Sequence, residues 1–362
     1  MSRTPRPRRR VTLASLAAEL KVSRTTVSNA YNRPDQLSPE LRERVLNAAK
    51  ELGYSGPDPV ARSLRTRRAD TIGLLLDQPL SYSFRDPAAV DFVAGLANAC
   101  DAAGRALLIV PAAPEHEPGA AADVVNKASV DGFVAYSVAE DDPYLDAAME
   151  RHLPLVVCDQ PAGIEGTVRI GIDDHAAMLG LAGIVLGLGH RRIGVLAMRL
   201  GENRRDGITT LDAALASRYS VQRDRIQAIA DAAAQQPHEV ALTIIETASH
   251  TREAGARAAR AAFEQDPGIT ALLCTTDVLA LGAMTWAAEH GIGIPDDLSV
   301  TGFDGTADAM QADLTTVVQP SEEKGQRAGE ILMALATSHD SREELLPTTI
   351  HRGSTIAAPR QR

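Results

Sequence analysis

Apolar residues in the first fifty positions recur at helical spacing. Behind Thr12, an N-cap candidate, Leu13, Leu16, Ala17 and Leu20 fall on one helical face. A second short helix opens behind Ser23 and turns Val27 and Tyr31 inward, leaving Arg24, Thr25, Ser28 and Asn29 outward. It ends near Asn32 and Pro34, where proline blocks continuation. A third is capped by Ser38, starts on Pro39, carries Leu41, Val45, Leu46, Ala49 and Leu52 inward and stops at Gly53. The few residues around Lys21 and Val22 form the tight link of a helix-turn-helix rather than of an antiparallel hairpin.

From Thr71 the period changes. The β-rich runs TIGLLLD, RALLIVPA, GFVAYS, LPLVVCD, TVRIGID, RIGVLAM, TALLCTTD and LSVTGFD alternate with helical stretches, among them 87–103, 175–187, 252–263 and 278–291. Alternating strands and helices predict parallel sheets covered on both faces. Eight strands exceed one five- or six-stranded unit, so two Rossmann-like α/β lobes with a cleft between them are expected. Ligands of such sheets bind beyond the carboxyl ends of the strands.

Charge separates the same two parts. The chain of 362 residues has net charge −10, but residues 1–70 hold fifteen Lys/Arg against seven Asp/Glu, and the remainder 22 against 40. A basic module that meets a polyanion, joined to an acidic body that does not, fits this asymmetry; a solvated basic tail fits the charge too. The opening MSRTPRPRRR leads into no apolar signal region, and no run reaches the ~18 to 20 apolar residues of a membrane span. A soluble cytoplasmic protein is expected, with no membrane partner. Cys100, Cys158 and Cys274 show no CxxC or zinc spacing and read as buried thiols. No phosphate loop, GxSxG, HExxH or dinucleotide fingerprint stands in a convincing context, so neither enzyme activity, a metal nor a cofactor is expected.

The second helix has the chemistry of a major-groove reader. Arg24 suits guanine, Asn29 suits adenine and the Thr25 methyl suits thymine. Thr12, Ser23, Asn32 and Ser38 sit at helix ends, where capping and phosphate contact are both available. VTLASLAAELKVSRTTVSNAYN followed by LSPELRERVLNAAKELGY resembles the DNA-binding head of the lactose-repressor (LacI-type) family of bacterial transcription regulators. Val11, Thr12, Leu13, Ala17, Val22, Ser23, Thr26, Val27, Ser28 and Asn32 match its usual wording. The resemblance places Arg24, Thr25, Ser28 and Asn29 on base-reading positions. Asn29 stands where many members have arginine, and Ala14 where some have tyrosine.

Residues 57–69 carry PVARSLRT, which taken alone reads as a basic linker. It resembles the family hinge that turns helical on DNA, with Leu64 as the minor-groove wedge. Arg62, Arg65, Arg67 and Arg68 would neutralise phosphates. GLGHRRIGVL, ITALLCTTDVLALGAM, IPDDLSVTGFDG, LTTVVQPSEEKG and HRGSTIAAP resemble successive signatures of the family's effector-binding core, which is periplasmic-binding-protein-like. The expected organisation is a head at 1–56, a hinge at 57–69 and a core at 70–362. Within the core, lobe one takes 70–170 and 320–345, and lobe two takes 172–318 and 348–362.

The resemblance nominates Asp304 of VTGFDG and Arg204 of RRDG as polar effector contacts, with Thr276, Asp159, Asp173 and His250 at other pocket positions. Phe84, Asp86 and Phe92 are expected to close the near wall. Asp277 is expected to cap a helix starting at Val278. The resemblance implies a homodimeric regulator, a repressor, that reads a pseudo-palindromic double-stranded operator and responds to a sugar, nucleoside or related metabolite in its cleft. A small-molecule transport protein and a cleft enzyme are the alternatives. The basic head opposes the first; the missing nucleophile–base pair opposes the second.

Overall fold

The computed structural model describes residues 11–56, 68–76, 84–111, 119–201, 204–335 and 342–360. The chain divides into two units, one ending at Ala69 and the other starting at Asp70. Arg62 and Leu64, with Arg65 and Arg67, lie outside the described residues.

In the first unit α1 (Leu13–Leu20), α2 (Arg24–Asn32) and α3 (Pro39–Leu52) share one core of Leu16, Ala17, Val27, Ala30, Val45, Ala49 and Tyr54. Each start is fixed by a hydroxyl accepting a backbone N–H: Thr12 from Ser15, Ser23 from Thr26 and Ser38 from Leu41. Such a cap satisfies a donor that the helix leaves orphaned, a gain of about 1 kcal/mol. Lys21 takes left-handed backbone at φ 54° to turn α1 into α2, and Gly53 does so at φ 70° to end α3. Leu52, expected inward, is exposed, because the small core closes over Ala49 and Tyr54 instead.

The second unit holds two sheets. β1 (Thr71–Leu76), β2 (Ala106–Pro111), β3 (Gly132–Tyr136), β4 (Leu155–Cys158), β5 (Val168–Gly171) and β12 (Arg342–Leu345) form the first, in order β12-β5-β4-β3-β1-β2, every pair parallel. The helices α4 (Pro87–Ala102), α5 (Ala120–Lys127), α6 (Pro143–Glu150) and α13 (Ser321–Leu335) cover it. Alternation along β1 decides the faces, with Leu75 packing on the α5–α6 side and Ile72, Leu74 and Leu76 on the α4–α13 side.

The second sheet has the order β13-β11-β10-β9-β6-β8-β7. Its strands are β6 (Arg192–Ala197), β7 (Gly207–Thr209), β8 (Ala241–Glu246), β9 (Ala271–Cys274), β10 (Ser299–Asp304), β11 (Thr315–Val318) and β13 (Thr349–His351). Both edge strands, β7 and β13, run antiparallel. Around it lie α7 (Asp174–Gly187), α8 (Leu211–Leu215), α9 (Ser220–Ala234), α10 (Arg252–Gln265), α11 (Asp277–Glu289) and α12 (Ala307–Gln311). The chain passes between sheets after β5, after β11 and between β12 and β13.

One packing device appears in both halves. A Cβ on Gly95 would sit 1.8 Å from the Glu322 carbonyl oxygen, and one on Gly325 1.9 Å from that of Phe92, so α4 and α13 touch backbone to backbone. A Cβ on Gly282 would likewise sit 2.0 Å from the Arg252 carbonyl oxygen between α11 and α10. The three cysteines are buried free thiols.

Candidate functional site

On the first unit, α2 presents Arg24 and Thr25 to solvent on its opening turn. Ser28 and Asn29, one turn on, are half-buried and engaged. The Asn29 amide donates to Gln36 at 3.0 Å, and the Asn32 amide donates to the Ser28 carbonyl at 3.0 Å and hydroxyl at 3.2 Å. Asn32 therefore stabilises the end of its own helix, while Thr12, Ser23 and Ser38 cap helices whose N-termini face outward with them.

In the second unit a cavity of about 110 Å³ lies where strand ends of both sheets converge. Five nominated residues line it: Asp86, Asp159, His250, Thr276 and Asp304. Asp159 and Asp304 follow or end strands with backbone φ of 63° and 128°, conformations that L-residues rarely hold and that cluster at functional positions. Gly305, next to Asp304, leaves room for nothing larger, since a Cβ would meet Val318 at 2.7 Å.

A buried polar chain runs under the cavity. Lys324 donates to Asp159 Oδ1 at 2.7 Å, to Oδ2 at 2.9 Å and to Gln319 Oε1 at 2.7 Å. Gln319 in turn donates to Asp304 Oδ1 at 2.6 Å. Arg225 in α9 donates to Asp174 at 2.8 Å and to the Thr275 carbonyl at 2.6 Å, lies 3.7 Å from Asp304 and stacks 3.5 Å over the Phe303 ring. His250 bonds Thr276 through Nε2 at 2.8 Å and faces Asp86 through Nδ1 at 3.5 Å.

Electrostatics follow from burial and pairing. Burial pushes the Asp304 carboxyl up to about 8, with Arg225 opposing and Asp277 and Asp86 adding to the rise. Burial also works against charge on Lys324 and Arg225, but Asp159 and Asp174 respectively hold them above their ordinary values. Burial disfavours both partners of the His250–Asp86 pair, and their mutual attraction wins, raising His250 and lowering Asp86.

Several expectations need correction. Phe92 is core, stacked on Tyr136 with centroids 4.2 Å apart, and the aromatic rings that line the cavity are Tyr136 and Tyr219. Phe84 is exposed and outside the lining. Asp173 is an exposed N-cap for Ala176; its neighbour Asp174 points inward to Arg225. Arg204 lies beside a small side pocket that shares Met198, Arg199 and His250 with the cavity, and the arginines that line the cavity itself are Arg199 and Arg225. Thr276, not Asp277, caps α11, while Asp277 is buried and accepts from Thr306 N–H at 2.7 Å and Thr316 hydroxyl at 2.6 Å. Sequence patterning did not single out Arg225 and Lys324, which lie on the buried faces of α9 and α13 together with Ser220, Gln222 and Ser321. Among the described residues no His/Cys/Asp/Glu group is arranged to hold a metal, and no helix is long and apolar enough to cross a membrane.

Two known families match separate stretches of the chain. The family of bacterial regulatory proteins, lacI family, matches residues 12–56, and the periplasmic binding protein-like domain matches 183–355. An HTH-type transcriptional regulator of Mycobacterium tuberculosis is 52% identical across 98% of this chain and 99% of its own. The HTH-type transcriptional regulator IpsA of Corynebacterium glutamicum is 46% identical across 96% and 97%. Among solved structures, a LacI-family regulator from Corynebacterium glutamicum superposes with TM-score 0.73 at 41% identity, covering 95% of this chain and 98% of that one. The regulator CelR in complex with cellobiose gives 0.67 at 25%, covering 96% and 100%. The chain belongs to the LacI family of bacterial regulatory proteins, a helix-turn-helix transcriptional regulator with a periplasmic-binding-protein-like domain.

Proposed function

We propose that the chain is a homodimeric repressor that acts in the cytoplasm, reading a pseudo-palindromic operator with α2 and releasing it when a small polar metabolite fills the cavity. Arg24 and Thr25 are the primary base contacts, with Ser28 and Asn29 behind them and Thr12, Ser23 and Ser38 on phosphates; Arg62 and Leu64 act in the hinge. One such helix reaches only a few base pairs, so two-fold pairing is needed for a specific site.

The observation that carries the effector reading is the convergence of buried Asp159, Asp304, Arg225 and His250 on one cavity walled by the rings of Tyr136 and Tyr219. Pre-paired acceptors and donors beside a ring suit a hydroxyl-rich ligand such as a sugar or nucleoside, and the cellobiose complex of CelR supports that class. The Thr276 hydroxyl that bonds His250 is also the N-cap of α11, accepting from Leu279 N–H at 3.4 Å, a structural engagement that favours binding over turnover as the activity proposed. DNA and effector then oppose each other through one coupling free energy, typically about 1–3 kcal/mol.

The test is retardation of fragments from the upstream region of the protein's own gene at low salt, with and without residues 1–68, beside a melting screen of sugars, polyols and nucleosides. Loss of retardation on truncation and a stabilising ligand that releases the fragment are expected. Retardation that survives truncation overturns the assignment.

A further inference from the structure

Three cavity-wall residues, Tyr219, Val221 and Gln222, lie on the N-cap and first turn of α9. Within its own half this segment is tied to Leu200, whose carbonyl accepts from the Ser217 hydroxyl at 2.8 Å and from Arg218 N–H at 3.3 Å. In the same half Gln222 Oε1 accepts from Met198 N–H at 3.3 Å and the Arg199 guanidinium lies 4.5 Å over the Tyr219 ring. Further ties run to the half built on the first sheet. Arg218 pairs with the Asp141 carboxylate and donates to the Asp141 carbonyl at 3.4 Å, and Arg223 donates to Glu140 Oε1 at 2.7 Å. The Glu140 N–H reaches the Arg218 carbonyl at 3.4 Å, and the Val221 N–H donates to Gln160 Oε1 at 2.9 Å. Arg223 is itself aimed by the Ser217 carbonyl, to which it donates at 2.6 Å.

We propose that Arg218 and Arg223 are positioning residues for the cavity, forming with Glu140 and Asp141 an electrostatic latch that holds the Tyr219–Gln222 wall against the opposite half. Neither arginine lines the cavity. Both carboxylates are about half exposed or more, so the latch is open to counter-ions, unlike the buried chain through Lys324. Screening length shrinks from about 10 Å at 0.1 M salt to about 3 Å at 1 M, and closure of the wall weakens with it. The bearing on effector release rests on the cavity being the effector site, but closure itself is measurable without any ligand.

The experiment is amide hydrogen exchange on the full-length protein, comparing wild type with Glu140→Gln/Asp141→Asn at 0.1 M and 1 M salt. The substituted side chains are surface groups and leave the ties to Leu200 intact. Expected are exchange at Val221 and Glu140 about two- to fivefold faster in the variant at low salt, as two exposed pairs allow. Acceleration of the wild type by salt is also expected, and its absence in the variant. Ala241, whose N–H bonds the Arg191 carbonyl inside the second sheet, serves as the control and stays unchanged. Exchange at Val221 that ignores both substitution and salt overturns the latch. Equal acceleration at Ala241 overturns it as well, since that reports general destabilisation.

Discussion

Replacing Lys324 with Met tests the buried chain beneath the cavity. The ammonium is fully enclosed and the Asp159 side chain nearly so, with contacts of 2.7 and 2.9 Å between them. At an effective dielectric of about 20, such a pair attracts by roughly 6 kcal/mol, most of which offsets the desolvation of two ions. The pair itself is therefore worth little net, but removal of one partner strands the other. Lys324→Met leaves Asp159 and Gln319 without their shared donor, a loss of about 3–5 kcal/mol. At about 2–4 °C per kcal/mol, melting followed by circular dichroism falls by on the order of 10 °C. The second arm is Lys324→Met/Asp159→Asn. Asn accepts the left-handed backbone of position 159 and removes the stranded charge, so most of the loss returns. A single variant melting within about 2 °C of wild type, or a double variant no better than the single, contradicts the stranded-charge account.

Three further outcomes follow from the same structure. The Asp304 carboxyl, at about 8 when folded and 3.8 in its ordinary state, keeps a proton that the unfolded chain has released, so its contribution is full at low pH and is lost as pH rises through that window. Melts from pH 5 to 8 should show wild-type stability declining relative to Asp304→Asn by up to about 1.4 kcal/mol per pH unit, and a flat difference removes the claim. Arg24→Ala, exposed on α2, is expected to weaken specific operator binding by about 1–3 kcal/mol in fluorescence anisotropy with no change in melting; equal loss on random DNA contradicts base reading. Gly325→Ala forces a methyl to within 1.9 Å of the Phe92 carbonyl oxygen and is expected to cost at least about 1–3 kcal/mol in urea denaturation, and wild-type stability would show that α4 and α13 part freely.

What the chain disclosed unaided was local. The head is legible because each cap acts over three residues and the apolar spacing of α1, α2 and α3 needs no distant partner. The same holds for β1, β3, β4 and β6, where continuous apolar runs mark strands buried on both faces. Strands β11 and β13 were not legible, since TTVV and TIH carry no such run and are strands only because β10 and β11 offer them an edge. Asp173 and Asp174 show how fine the margin is. They are adjacent, and the phase at which α7 begins sends one to solvent and the other to Arg225.

Periodicity states which face of an element turns inward, but only the structure shows Arg225 and Lys324 on the buried faces of α9 and α13. Nor can periodicity state what meets them there. Asp159 lies 165 residues before Lys324, and Asp174 lies 51 before Arg225. Those partners are set by the order of strands in two sheets and by the passages between them, because a buried charge persists only where the fold delivers its counter-charge to within hydrogen-bonding distance.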